Sequence, residues 1–134
     1  INPLGTQGIV NVKSDFQASG YVRSSASDKR LKTNTKPITN ALDKLSNLKG
    51  YSFNWNEKAK KLNSYFSDEN QVGVIAQEVE KIQPEAVSFA PFDRGENKSK
   101  SGKNYLTVNE EKLVPLLIQA VNELREEVNY LKTK

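Results

Sequence analysis

Neither cysteine nor histidine occurs in the 134 residues. Together these absences remove thiol nucleophiles, imidazole bases, disulfides and nearly every zinc or haem site. Any catalysis is therefore expected to run on Ser, Thr, Lys, Tyr or carboxylates, with no metal and no cofactor. The lack of cysteine is compatible with a reducing cytoplasm and equally with a small secreted domain. Long apolar runs are missing too: none approaches the roughly 20 residues of a membrane span, and no charged start followed by an apolar stretch opens the chain. Nor does one charge dominate. The 20 basic and 16 acidic residues leave a net charge of +4, too mild and too mixed for a nucleic-acid surface. Neither a membrane nor a nucleic acid is expected as a partner.

What remains is a chain with 36% hydrophobic and 27% charged residues, whose bulk comes from five Phe, five Tyr and one Trp. That content builds one modest core with solvated or elongated appendages, and association with copies of itself would help such a chain stay folded. Ile1 in place of an initiator Met predicts that the chain begins within a longer protein.

From Ile1 to Ala26 the sequence consists of short β-like phrases, Gly8-Ile9-Val10-Asn11-Val12, Asp15-Phe16 and Gly20-Tyr21-Val22-Arg23, broken by small residues. Such thin strands cannot close a core alone. They suit either a rod in which identical chains supply each other's missing faces or a flexible linker. An abrupt turn to basic residues at Ser27-Asp28-Lys29-Arg30-Leu31-Lys32 marks a boundary.

Beyond Pro37, Ile38, Leu42, Leu45 and Leu48 recur at helical spacing, with Gly50 placed to stop a helix. Tyr51, Phe53 and Trp55 alternate with polar residues and predict a half-buried strand. A short helix and a loop are expected over 56–70. Val72-Gly73-Val74-Ile75 reads as a buried strand running into a helix over 76–82, and Val87 and Phe89 as a further strand. No period survives between Asp93 and Lys103, which predicts an exposed loop or hairpin tip. Tyr105, Leu106 and Val108 restore a strand.

The last helix, expected over about 107–133, opens on a capping box of Thr107 and Glu110. Val114, Val121 and Val128 share one heptad position; Leu117, Leu124 and Leu131 share the other. Valine at a with leucine at d predicts a parallel coiled coil, and this chemistry by itself favours two strands. A terminal helix packed on its own domain is the competing reading. Pro115 predicts a kink near the start of the seam.

One nucleophile-and-base arrangement is visible at short range, Ser27 with Lys32. A serine hydroxyl needs a neighbour to take its proton, and a lysine serves only when its amine is held well below its usual pKa of about 10.4. Burial or nearby cations would do this, and Lys29 and Arg30 supply positive charge. Serine followed five residues later by lysine is a spacing that chance supplies in most chains, so on spacing alone a solvated loop is favoured. The Glu78 and Glu80 carboxylates read as a solvated helix face rather than as a sugar-cleaving pair.

The run from Ser27 to Lys32, continuing through Thr33-Asn34, resembles the opening signature of the intramolecular chaperone auto-processing domain, the peptidase S74 family. Tyr51-Ser52-Phe53-Asn54-Trp55 resembles its aromatic strand and Gly73-Val74-Ile75-Ala76-Gln77-Glu78-Val79 its central motif. Pro84-Glu85-Ala86-Val87, Tyr105-Leu106, Leu113-Val114-Pro115-Leu116-Leu117, Ala120 and Glu123-Leu124 follow in the family's order.

The resemblance implies a C-terminal domain of phage tailspikes, endosialidases and tail fibres. Such a domain forms a homotrimer, helps the upstream β-helical part of its own parent chain to fold, then releases itself in a single turnover. Expected accordingly is an α+β fold: a β-rod end like a triple β-helix over 1–27, then the auto-processing domain over 28–134 with a trimeric coiled coil. Ser27 is implied as nucleophile, Lys32 as general base and Asp28 as the residue on the departing side of the cut. Arg30 and Asn34 are candidates to support the turn or the oxyanion. The expected setting is a virion tail-fibre precursor made in the host cytoplasm, with no small-molecule substrate.

The implied bond is Ser27–Asp28. A serine hydroxyl, however, reaches the preceding carbonyl through a five-membered ring and its own only through a four-membered one, so Ala26–Ser27 stands as the alternative. Competing with the protease is a non-catalytic trimerisation or capping module. A self-cleaving regulatory relative would need a DNA-binding domain and a membrane span, neither of which the sequence displays.

Overall fold

A computed structural model describes Val10, Val12, residues 14–24 and residues 26–134. The chain divides into two compact units, Ile1–Thr35 and Lys36–Lys134. In the first, the described residues form no strand, and their one regular element is a 3-10 turn at Lys29–Leu31. Val12, Phe16, Tyr21 and Val22 are exposed. A strand needs a paired neighbour for its backbone groups, and within this unit the phrases at 15–16 and 20–23 have none. The phrase around Gly8, Ile9 and Asn11 lies outside the described residues.

The second unit is mixed α and β. Its elements run α1 (Ala41–Leu45), β1 (Tyr51–Phe53), α2 (Glu57–Leu62), β2 (Gln71–Gly73), α3 (Ala76–Ile82), β3 (Val87–Phe89), β4 (Leu106–Val108) and α4 (Val114–Lys132). Each sheet is an antiparallel pair: β1 on β2 with Tyr51 opposite Gly73, and β3 on β4 with Val87 opposite Val108. The expected helix over 76–82 and the strands at β1, β3 and β4 are all present.

Two small buried clusters make the core. Ala41, Leu116 and Ala120 form one, flanked by Ile38, Leu42, Leu45 and Ile82. Val79, Ala86 and Leu113 form the other, flanked by Leu48, Val74, Val87 and Val108. Leu113, Leu116 and Ala120 lie three and four residues apart, so one stripe along α4 and the turn before it serves both clusters. Beside them runs an aromatic chain. Phe53, Trp55, Phe66, Phe92 and Tyr105 follow one another with ring centroids 4.1 to 6.0 Å apart. This links β1, the loop after α2 and the segment between β3 and β4.

Several local expectations give way to tertiary contacts. Thr107 pairs with Ser88 inside β4, so the capping box does not form. Asn109 instead caps a 3-10 turn at Glu110–Leu113, accepting from the Glu111 N–H at 3.2 Å. Pro115 falls in the first turn of α4, where its missing donor costs no helical bond, and it starts the helix instead of kinking it. α1 stops at Leu45, well short of Gly50. Val72 is 84% exposed, because a two-stranded ribbon covers only one of its faces.

Asn40 precedes α1 in the left-handed region and gives no side-chain cap. The cap comes from α4. Glu123 accepts the Ala41 N–H at 3.0 Å and the Leu42 N–H at 2.8 Å. The Leu42 and then the Ala41 N–H hold its carboxyl below the usual carboxylate range.

The segment at 93–103 forms a hairpin tip, one of the two forms expected of it, with Arg94 bridged to Ser99. Asp93 is 2% exposed. It accepts from Ser99 Oγ at 2.7 Å, Ser101 N–H at 2.7 Å and Tyr105 N–H at 3.0 Å. Gly95 closes the hairpin; a Cβ there would stand 2.5 Å from the Lys98 carbonyl oxygen. Burial alone would raise the Asp93 pKa, but the hydrogen bonds from Ser99, Ser101 and Tyr105 outweigh it and bring the group down to about 2.

Leu116→Ala is expected to lower the unfolding free energy by about 2–5 kcal/mol, measured by urea denaturation at fixed protein concentration. A carboxyl held low in the folded chain stabilises it above the unfolded value of 3.8, and this contribution is lost as pH falls to about 2. The amide proton resonances of Ser101 and Tyr105 should therefore shift together in that acid window. Asp93→Asn should displace them at neutral pH and remove the acid step.

Candidate active site

The residues singled out at the boundary fold into one tight turn. Asp28 is its N-cap, with extended backbone angles of φ −67 and ψ 133. The Asp28 carbonyl accepts the Leu31 N–H at 3.0 Å, and the Lys29 carbonyl accepts the Lys32 N–H at 3.2 Å. Lys32 closes the turn and is itself extended, φ −116 and ψ 144. Ser27 and Lys32 thus flank a single 3-10 turn, and their side chains meet: Lys32 Nζ donates to Ser27 Oγ at 2.8 Å.

Asp28 also holds the turn through its side chain. Its Oδ1 accepts the Arg30 N–H at 2.9 Å and Arg30 Nε at 3.1 Å, and its Oδ2 accepts Arg30 Nη2 at 2.9 Å. The Arg30 side chain, then its backbone N–H, lowers the Asp28 carboxyl; Asp28 in turn raises the guanidinium. Arg30 is therefore engaged in holding the turn. Asn34 stands two residues beyond Lys32 in the left-handed region at φ 53, outside the hydrogen bonds that hold the turn among the described residues. Sequence reasoning missed the capping role of Asp28; the signal that could have found it is that aspartate is a favoured N-cap.

Chemically, the contact has the right partners and a defined polarity. Lys32 donates and Ser27 accepts; deprotonating the hydroxyl needs a neutral amine and the reverse direction of the bond. Ser27, Asp28, Arg30 and Lys32 are all on exposed surface. Among the described residues, no cluster of three carboxylates is placed to hold a metal ion, and no helix is long and apolar enough to cross a membrane.

The six heptad residues lie along α4. Val114, Leu117, Val121, Leu124, Val128 and Leu131 are between 41% and 65% exposed, so this chain leaves uncovered a stripe that runs beside the one closing its own core. Glu78 and Glu80 do not form a pair. Glu78 is half-buried and accepts the Tyr51 hydroxyl at 2.6 Å, which raises the Tyr51 pKa, while Glu80 is exposed.

Residues 27–88 match the family model described as chaperone of endosialidase, peptidase S74. The chain is also similar to the long tail fiber protein Gp37 of Enterobacteria phage M1, 39% identical over 114 residues, which are 84% of this chain and 40% of that protein. The Gp37 of phage Ox2 gives the same figures. That of phage K3 is 36% identical over 114 residues, 85% of this chain and 8% of the relative. The chain thus spans less than half the length of these relatives.

Proposed function

We propose, for a chain that belongs to the peptidase S74 chaperone-of-endosialidase family, that it is the self-releasing assembly domain of a phage tail fibre. Residues 28–134 trimerise and hold three copies of the upstream fibre in register while it winds into a β-rod. Ser27 and Lys32 then cut the chain at Ser27–Asp28. The fibre remains on the virion tail and the domain is discarded. The observation that carries the reading is the 2.8 Å contact between Lys32 Nζ and Ser27 Oγ, located where the family match begins.

Ring size decides which chain is cut. Within one chain, the Ser27 hydroxyl closes on its own carbonyl only through a four-membered ring. The same hydroxyl from a neighbouring copy meets no such strain, so the cut is made between copies. Packing three copies around the turns excludes water, and burial disfavours an ammonium, so assembly licenses the reaction.

With the amine neutral, Lys32 Nζ takes the hydroxyl proton as Oγ bonds to the neighbour's Ser27 carbonyl carbon. The carbonyl pair moves onto oxygen, to be met by backbone N–H donors. Collapse of this oxyanion breaks the C–N bond to Asp28, and Lys32 passes the proton to the departing nitrogen. Water then splits the ester, restores the hydroxyl and leaves a carboxylate on Ser27.

The exposed stripe of α4 supports the trimer. Valine at a and leucine at d would favour two strands; the family resemblance favours three, and the proposal follows it.

Mass spectrometry of freshly purified protein should give fragments ending at Ser27 and beginning at Asp28. Ser27→Ala and Lys32→Ala should each give one intact mass and an unchanged trimer in sedimentation. Fragments meeting at Ala26–Ser27 would move the cut to the five-membered route, and an intact wild-type chain would leave a trimerisation and capping module. A tagged Ser27→Ala chain should stay whole alone and be cut when co-assembled with wild type; if it stays whole there too, each chain cuts itself.

Each buried leucine contributes about 1.5–3 kcal/mol. Leu117→Ser with Leu124→Ser should therefore dissociate the trimer while circular dichroism retains the helical signal.

A further inference from the structure

The turn that brings Ser27 and Lys32 together has no packing to hold it. None of Lys29, Arg30 and Leu31 is buried, and an isolated 3-10 turn of this length is marginal in water. Five hydrogen bonds define it. Two are backbone bonds, from Leu31 and Lys32, and three end on the Asp28 carboxylate. Without the turn, the five steps from Ser27 to Lys32 extend to about 17 Å at roughly 3.4 Å per residue, beyond the reach of a lysine side chain to a serine hydroxyl.

From this geometry we infer that Asp28 is the positioning residue of the cleavage reaction, acting as the N-cap that folds the chain so that Lys32 Nζ meets Ser27 Oγ. The inference rests on the reading that Ser27 and Lys32 make the cut. Asp28 touches neither reacting atom of the pair and works through the backbone of Arg30. Two components are separable. The cap is the bond from the Arg30 N–H to Oδ1; the fork is the pair of bonds from the guanidinium. An exposed ion pair is worth little in water, with the Arg30 side chain 87% exposed, so the cap dominates and the fork steadies it. Charge at position 28 matters less than an oxygen at capping distance.

Substitution can separate these requirements. Asn and Ser keep a capping oxygen without charge, Ala keeps neither, and Glu keeps the charge on a side chain outside the favoured N-cap set. The first-order cleavage rate of the full chain, read as fragment appearance on denaturing gels, should stay within a few-fold of wild type for Asp28→Asn and Asp28→Ser. It should fall about five- to tenfold for Asp28→Ala and Asp28→Glu, the size of a lost cap. Arg30→Ala, which spares the cap and lies away from the cut bond, should change the rate only a few-fold. Sedimentation should report an unchanged trimer throughout.

Asp28→Ala cleaving at the wild-type rate would overturn the inference while leaving the Ser27 and Lys32 reading intact. So would Asp28→Glu keeping the wild-type rate while Asp28→Asn loses it, since charge beside the bond would then be what counts. Cleavage persisting in Ser27→Ala, or an uncut wild type, would overturn that reading and the positioning role together.

Discussion

One helix meets two demands, and the fold of the second unit depends on how it divides them. Leu116 is fully buried and Ala120 nearly so, while Val121 is 63% exposed on the other side of the same α4. The inner stripe closes both core clusters. Those clusters consist of alanines, valines and leucines flanked by partly covered neighbours, so little apolar area supports each. The uncovered outer stripe offers burial that one chain lacks, and a further copy can supply it. The same residues that look like a defect in an isolated chain are what an assembly domain requires.

Long-range polar clamps stiffen what the small core cannot. Glu123 fastens α4 to the start of α1 across 82 residues, and Asp93 gathers its own hairpin around one buried carboxylate. Each satisfies backbone donors that a short element would otherwise leave bare. Because α1 has only five residues and an Asn40 that provides no cap, its beginning is fixed from outside. Helical register along α4 therefore reaches α1 through a carboxylate as well as through packing.

Local pattern was enough for much of this. The alternation from Tyr51 to Trp55 gave a strand that ends two residues early, at Phe53, the compact run from Ala76 to Ile82 gave its helix with the observed ends, and the heptad of α4 marked its uncovered face. Elsewhere tertiary contacts decide what local pattern does not record. Thr107 carries a capping signature, yet pairing with Ser88 places it in a strand, and no local pattern records a partner 19 residues away. The polar 93–103 run lacks periodicity because hydrogen bonds to Asp93, rather than a packed apolar face, order it. At the turn, the family resemblance rather than the spacing singled out Ser27 and Lys32. The dependence on Asp28 emerged only when its three bonds to Arg30 were in view.

The proposed cut at Ser27–Asp28 would divide this arrangement between two pieces. Every hydrogen bond that shapes the turn lies at or beyond Asp28, so a break before Asp28 leaves the bend whole on the downstream piece. Ser27 departs with the other piece. When the two part, hydroxyl and amine end on separate molecules, and neither can act on a further chain. Under the proposed cut, the position of one bond would disarm the turn, and a released domain would carry no residual hazard to fibres still being built around it.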